Sequence, residues 1–488
     1  MDRNLTALQP ALVWKHFAAI LQIPRPSSHE EQIRQYIFDF ARAKGLPCKE
    51  DAAHNVYVSK PATPGMEGRK GIILQAHLDM VPQKNNDKVF DFTKDPIDAY
   101  IDNGWVTADG TTLGADNGIG AACMLAVLED DTLVHGPIEA LFTATEETGM
   151  DGAFGLEAGM LQGEILLNLD SESEGELYVG CAGGLDANIT FPYTAAAVPA
   201  SGYLAARITV KGLKGGHSGI QIVCQRANAN KLLFRFLNEA AATCEVLLAS
   251  VDGGGLRNAI PREAEAVVLV PAASYEAFAA ALKQYEATVV AEFADIEDSI
   301  SIAIEPCEAP ATMIEPEVAA KLIRAVIVCP DGVQRMSTSM PGLVQTSNNL
   351  ARVVSDGRTV KLQTLLRSSV NSEKAALGEA IAALFELAGA EVQLSGSYNG
   401  WNPNMQSPIL HAMVASYEAL YGKKPLITAI HAGLECGIIG ATYPQLDMIS
   451  FGPTIAYPHS PDEKVEIASV AKFYDFLIHT LRNAPEKR

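Results

Sequence analysis

In the stretch QAHLDMVPQ, an apolar run (GIILQ) leads directly into His77 and Asp79, which period-2 alternation places on one face of an extended chain. Alone, the pair supports two readings: an imidazole hydrogen-bonded to a carboxylate at a strand end, or a metal ligand beside the acid that orients it. Four further places offer similar chemistry: Asp116 in ADNGIG, Glu146 and Glu147 in FTATEETG, Asp170 in LNLDSE, and His459 in AYPHSPDEKV. Each also has an ordinary explanation. Asp116 suits a helix cap, Glu146 and Glu147 suit solvated charges, Asp170 suits a turn, and His459 suits an exposed loop. Yet all five places fall at the ends of expected elements, and their chemistry fits together.

Imidazoles and carboxylates suit zinc, and also cobalt or manganese. Two divalent ions held about 3.5–4 Å apart need a shared oxygen ligand, and Asp116 has two oxygens to offer. His77, Asp170 and Asp116 then complete one ion; Glu147, His459 and the same Asp116 complete the other. Three carboxylates and two neutral imidazoles leave a residual positive charge that favours ionised water. Glu146 remains over, and neighbouring side chains on an extended backbone point in different directions. Glu146 can therefore face the water and carry its proton to a leaving amine. Asp79, hydrogen-bonded to the far nitrogen of His77, fixes that ring's tautomer and raises its basicity.

The elements that must hold these groups are readable from periodicity. WKHFAAILQIP and HEEQIRQYIFDFARAKG predict helices, the second ending at Gly45. GIILQAHLD, IEALFTATEE and EILLNLDSE predict strands, each ending in acidic or metal-type residues, and ADNGIGAACMLAVLEDD predicts a helix between them. Strands alternating with helices imply an α/β sheet with helices on its faces, whose functional groups gather where strands finish. From about residue 184 to 396 the texture changes. YLAARITVKGLKGGHSGIQIVCQRANANKLLFRFLNEAA and TVKLQTLLRSSVNSEKAALGEAIAALFELAGAEVQLSG share a strand–loop–helix plan, suggesting a duplicated α+β module. After 397 the α/β texture returns: PILHAMVASYEALYG and KVEIASVAKFYDFLIHTLRN predict helices and LDMISFGP a strand. The expected organisation is a catalytic domain split over 1–183 and 397–488, with 184–396 inserted as a second domain.

The totals agree with a large globular chain. Its 488 residues imply more than one domain, and 48% hydrophobic with 19% charged residues is an ordinary balance. A net charge of −21 argues against a broad nucleic-acid surface. The N-terminus reads as an amphipathic helix rather than a signal peptide, and no apolar run is long enough to span a membrane. The eight cysteines are dispersed with no Cys-x-x-Cys pair, which suggests reduced thiols and a cytoplasmic setting.

The motifs HLDMVPQ, TTLGADNGIG, FTATEETGMDGA, LNLDSE, LKGGHSG, RNAIPREA, HAGLECG and YPHSPDEKV together resemble the co-catalytic zinc peptidases that include peptidase T, carboxypeptidase G and the aminoacylases. Within them, HAGLECG, YNGWNPN and the long insertion are similar to the aminoacyl-histidine dipeptidases. The resemblance runs from about residue 5 to 480. It implies a split two-zinc α/β catalytic domain, a mixed sheet flanked by helices, with an inserted α+β lid. It implies hydrolysis of Xaa-His and related dipeptides, β-alanyl-histidine included, with small dipeptides as partners. His77, Asp116, Glu147, Asp170 and His459 match the zinc ligands, Glu146 the base and Asp79 the orienting acid. His217 in GGHSG resembles the donor to the oxyanion. Asn258 and Arg367 resemble groups holding the substrate's terminal carboxylate. Glu435, expected on a Gly-flanked loop, resembles a residue lining the amino-terminal side. In relatives with a single lid module a second subunit supplies the lid histidine; a doubled module could supply it within one chain, and a homodimer is the expected assembly. The competing expectations are an aminoacylase, desuccinylase or broader aminopeptidase, and a metal-binding scaffold without catalysis.

Overall fold

The computed structural model describes residues 2–487. The chain divides into two units: one takes the chain up to Gly180, Pro403–Ala429 and the chain from Leu434; the other takes Cys181–Asn402 and Ile430–Gly433. The second unit thus recruits a four-residue excursion that lies inside the stretch 397–488, expected to be wholly catalytic. So short a segment leaves no mark on composition.

Among the described residues the first unit is built on an eight-stranded mixed sheet. Ile72–His77 lies at its centre, parallel to Ile138–Thr143 on one side and Ile165–Asn168 on the other, and Asp447–Ser450 continues parallel beyond the latter. These strands are buried almost throughout, as expected for parallel strands covered on both faces. The covering helix Ala115–Glu129 is apolar nearly all round and almost wholly buried, packed on Ala11–Ile20 and on Ile72–His77. Glu31–Lys44 ends at Gly45, whose φ of 67° closes the helix in the left-handed conformation. A small sheet pairs Ile455–Ala456 with Lys464–Glu466, and Lys464–Glu466 with Trp105–Ala108. It carries the loop containing His459. No helix among the described residues is long and apolar enough to cross a membrane.

The second unit holds a long antiparallel sheet running Ser301–Pro306, Tyr203–Lys211, Ala264–Pro271, Leu247–Gly254, Val344–Ser355, Thr359–Ser368, Gly183–Pro192, Glu391–Tyr398. Its halves are the same module twice. In one, Tyr203–Lys211, helix Ala229–Ala241, Leu247–Gly254, Ala264–Pro271, helix Tyr275–Glu292 and Ser301–Pro306 follow in chain order. In the other, Gly183–Pro192, helix Pro316–Val328, Val344–Ser355, Thr359–Ser368, helix Asn371–Leu387 and Glu391–Tyr398 do the same. Each has the βαββαβ plan with its strands in the spatial order fourth, first, third, second. The second strands meet at the middle, Asp252 opposite Val354. The first module is inserted between the first strand and first helix of the second. This corrects the equivalence read from sequence: 203–241 is the first half of one module, whereas 359–398 is the second half of the other. A βαββαβ unit contains two strand–helix halves, so the wrong halves resemble each other.

Candidate metal and catalytic site

Three parallel strands of the first unit deliver their acids and imidazole at the same edge. His77 ends its strand, Glu146 and Glu147 follow Ile138–Thr143, and Asp170 follows Ile165–Asn168. Asp116 sits in the opening turn of the Ala115–Glu129 helix with extended rather than helical dihedrals (φ −79°, ψ 111°), so it does not cap the helix; Gly114 does. The helix approaches the strand end closely because position 120 has no side chain. A Cβ on Gly120 would lie 2.0 Å from Asn117 Oδ1 and 2.7 Å from the Leu169 carbonyl. Asn117 in turn donates to Leu169 O and to the Asp170 carboxylate, which places Asp116 and Asp170 side by side.

Asp116 faces two imidazoles, its Oδ1 lying 3.0 Å from His77 Nε2 and its Oδ2 3.2 Å from His459 Nε2. Asp170 Oδ1 is 3.4 Å from His77 Nε2, and Glu147 Oε2 is 3.0 Å from His459 Nε2. The ligand-type atoms of His77, Asp116 and Asp170 lie within 4.8 Å of one another, as do those of Asp116, Glu147 and His459. The two groups share Asp116. Glu146 belongs to a third such group with His77 and Glu147. Glu147 Oε1 is buried with no hydrogen-bond partner, and no lysine or arginine is paired with any of these carboxylates among the described residues. A set of hard oxygen donors and two imidazoles gathered this way, with an orphaned carboxylate oxygen, fits a pair of divalent cations.

Asp79 is a hub. Its Oδ1 lies 3.2 Å from His77 Nδ1, leaving Nε2 to face Asp116. Its two oxygens also accept the backbone N–H groups of Glu146 (2.9 Å) and Glu147 (3.1 Å), and Ser27 Oγ donates to it at 2.8 Å. Burial pushes its carboxyl up, but the bonds and charge of His77 outweigh this and hold it down at about 2. Burial dominates the other way at Glu146, whose pKa is raised well above the ordinary value, and at Asp170, raised to about 6. His459 is pushed up to about 11 by its bonds to Asp116 and Glu147.

Two structural residues were missed by the sequence reading. Glu463 accepts four consecutive backbone N–H groups, Leu113 to Asp116, at 2.8–3.2 Å, and so fixes the turn that bears Asp116. Arg25, 2% exposed, donates to the carbonyls of Leu78, Asp79 and Gly114. Left-handed residues adjoin the site: Thr145 (φ 51°), Tyr457 (φ 56°) and His459 itself (φ 59°). Glu30 holds Thr145 by accepting from its backbone N and its hydroxyl at 3.0 and 2.8 Å. Such conformations persist where the surroundings over-determine them.

Glu435 departs from its expected place. It is the first residue of helix Glu435–Thr442, 1% exposed, rather than part of an open loop. Gln75 Nε2 and Thr143 Oγ1 donate to its Oε2 at 2.5 and 2.9 Å, so it lies beneath the strand ends.

In the second unit, His217 forms a two-residue bridge with Ala259 through the pairing of Gly216–His217 with Ala259–Ile260. Its Nδ1 accepts the N–H groups of Gly219 and Ile220 at 3.2 and 3.1 Å. The proton of the neutral ring is therefore on Nε2. Burial, followed by the charge of Arg367, lowers its pKa and keeps the ring neutral. Asn258 is exposed, its carbonyl accepting from Ser218 N. Arg367 is buried and donates to Tyr398 Oη at 3.2 Å.

A sequence model described as peptidase family M20/M25/M40 matches residues 73–483. The chain belongs to this peptidase family. It is 47% identical over 484 residues, 99% of this chain and all of the relative, to the cytosol non-specific dipeptidase of Escherichia coli (strain K12). The crystal structure of aminoacylhistidine dipeptidase from Vibrio alginolyticus superposes with a TM-score of 0.95 at 48% identity, covering 99% of each chain. The aminopeptidase PepT from Bacillus cereus ATCC 10987 shares the fold at 15% identity, with a TM-score of 0.58 over 98% of this chain and 99% of its own. In this chain the peptidase fold carries a mixed sheet flanked by helices, with metal-type residues gathered at its strand ends.

Proposed function

We propose that this M20-family member is a cytoplasmic metallopeptidase that hydrolyses dipeptides, Xaa-His and β-alanyl-histidine among them, and that it works as a homodimer with two divalent ions, zinc in the first instance. The observation that carries the reading is the sharing of Asp116 between the two triads. In this proposal His77, Asp116 and Asp170 hold one ion and Asp116, Glu147 and His459 the other. Bound there, the ions would supply Lewis acidity toward water and toward the scissile carbonyl.

The remaining steps belong to the protein. Asp79 keeps His77 in the tautomer whose Nε2 is free to ligate. The Glu146 carboxylate takes a proton from the attacking water as the new C–O bond forms, then gives it to the amine nitrogen as the C–N bond breaks. The products are a free amino acid with a carboxylate and a second one with an amine. His217 Nε2–H donates to the oxyanion of the tetrahedral intermediate, and its neutral state suits a donor that is itself uncharged. Arg367 and Asn258 hold the substrate's terminal carboxylate, which selects chains of two residues by length. Glu435, given its burial, would act on the substrate's amino-terminal side from below rather than as an open-loop contact.

The test is a dipeptide panel (Xaa-His, Xaa-Gly, β-alanyl-histidine), tripeptides and N-acyl amino acids, assayed before and after chelation with metal content measured on the same sample. Dipeptide turnover that disappears on chelation and returns with zinc, cobalt or manganese is expected. Turnover confined to N-acyl amino acids, or full activity in the stripped protein, would refute the reading.

A further inference from the structure

The four residues Ile430–Gly433 belong to the second unit, and they bring His431 beside Arg367 and His217. Gly219 marks the meeting point: a Cβ there would lie 2.2 Å from the His431 carbonyl, 3.0 Å from His217 Cε1 and 3.2 Å from Arg367 Nε. His431 is 6% exposed and Arg367 5%. His431 Nε2 is 2.7 Å from Ser347 Oγ, and Ser347 is wholly buried. The other ring nitrogen, Nδ1, is buried and makes no full hydrogen bond within the chain; neither does Arg367 Nε. The Val344 backbone hydrogen-bonds weakly to the ring and favours its protonated form, without satisfying Nδ1. Buried donors left without a full hydrogen bond are expensive unless a ligand completes them.

We propose that His431 Nδ1–H is a second donor to the substrate's terminal carboxylate, beside Arg367, and that Ser347 sets its tautomer. This rests on the reading of Arg367 as the carboxylate clamp. Ser347 Oγ–H donates to Nε2, which leaves the ring's single proton on Nδ1. Burial first, and then the Arg367 charge, push the His431 pKa down to about 3, so the ring stays neutral with one proton to donate. A planar guanidinium and a neutral N–H converging on one carboxylate would discriminate a free carboxylate from an amide or an extended chain, because the amide brings its own N–H groups against these donors.

The experiment compares each dipeptide with its C-terminal amide in the metal-loaded enzyme, for wild type, His431→Ala, His431→Asn, Ser347→Ala and Arg367→Lys, with thermal stability and metal content as controls. His431→Ala should raise KM for the dipeptide more than it lowers kcat, and shrink the acid-over-amide preference by about 10- to 100-fold. His431→Asn, whose amide N–H falls near the Nδ1 position, should recover part of that preference, and Ser347→Ala should lose part of it. Equal losses on acid and amide in His431→Ala or, if that variant does not fold, in Ser347→Ala would overturn the proposal. If Arg367→Lys lowers the preference and neither His431 nor Ser347 variants do, this inference alone fails. If wild type shows no preference for the free acid, the clamp reading fails with it.

Discussion

Asp79 Oδ1 stands 3.2 Å from His77 Nδ1, and the two side chains are 0% and 1% exposed. Together with the Asp79 backbone carbonyl, 3.1 Å from the same nitrogen, the contact settles which nitrogen of His77 faces outward. Because the same carboxylate also receives the N–H groups of Glu146 and Glu147, one residue aligns an imidazole on one strand with two acids beyond another. Asp79→Ala should therefore lower metal affinity by about 10- to 100-fold, measured by competition with a chromogenic chelator. An affinity equal to wild type would show that the Asp79 backbone carbonyl, 3.1 Å from the same Nδ1, is enough to hold His77.

Glu146→Gln keeps the size and polarity of the side chain and removes its capacity to take a proton. Metal content should stay at the wild-type level while kcat drops by about 100- to 10,000-fold. Parallel metal analysis and steady-state kinetics check this, and loss of metal together with activity would reassign Glu146 as a ligand.

Glu463→Ala strips the acceptor from four N–H groups at once, three of them in buried bonds. Each unmade bond costs about 1–3 kcal/mol, so a loss of several kcal/mol is expected, offset where water enters. Denaturant unfolding measures it. Because the turn also carries Asp116, metal binding should weaken in the same variant.

Stability should fall on mild acidification for a reason removed from the site. His16 is 2% exposed, and burial lowers its pKa to about 4 despite the attraction of Glu129 2.8 Å away. The folded ring stays neutral below pH 6.5 while the unfolded one takes up a proton, so the unfolded state binds more protons between about pH 6.5 and 4. The contribution is complete above pH 6.5 and is lost progressively down to about 4, amounting to about 3 kcal/mol. In His16→Gln the fall in unfolding free energy between pH 7 and 4.5 should be smaller than in wild type. Identical slopes would remove His16 as the cause.

What could be read beforehand follows from where the information sits. Apolar runs ending in His or acids announce strands and the residues they deliver, and the structure gathers His77, Asp116, Glu146, Glu147, Asp170 and His459. Arg25 and Glu463 were not legible because their partners are backbone carbonyls and N–H groups, which every residue has. Glu435 was misplaced since its flanking glycines suggest a loop, whereas burial against Gln75 and Thr143 starts a helix at that residue. His431 passed unnoticed for a related reason: its significance depends on Ser347, far away in the chain and two strands into another module.

The nesting of one βαββαβ module inside another also orders the chain's assembly in time. Tyr203–Lys211 through Ser301–Pro306 has all its own strands and helices in one continuous stretch, so it can condense as soon as that stretch leaves the ribosome. Gly183–Pro192, synthesised earlier, must wait for Thr359–Ser368 and Glu391–Tyr398 on its two flanks. Until they arrive it is an unpaired edge with alternating apolar residues, the kind of segment that invites intermolecular pairing. The inner module is thus born first and the outer one closes around a finished neighbour, which makes truncation anywhere between about residue 310 and 390 the point of greatest aggregation risk.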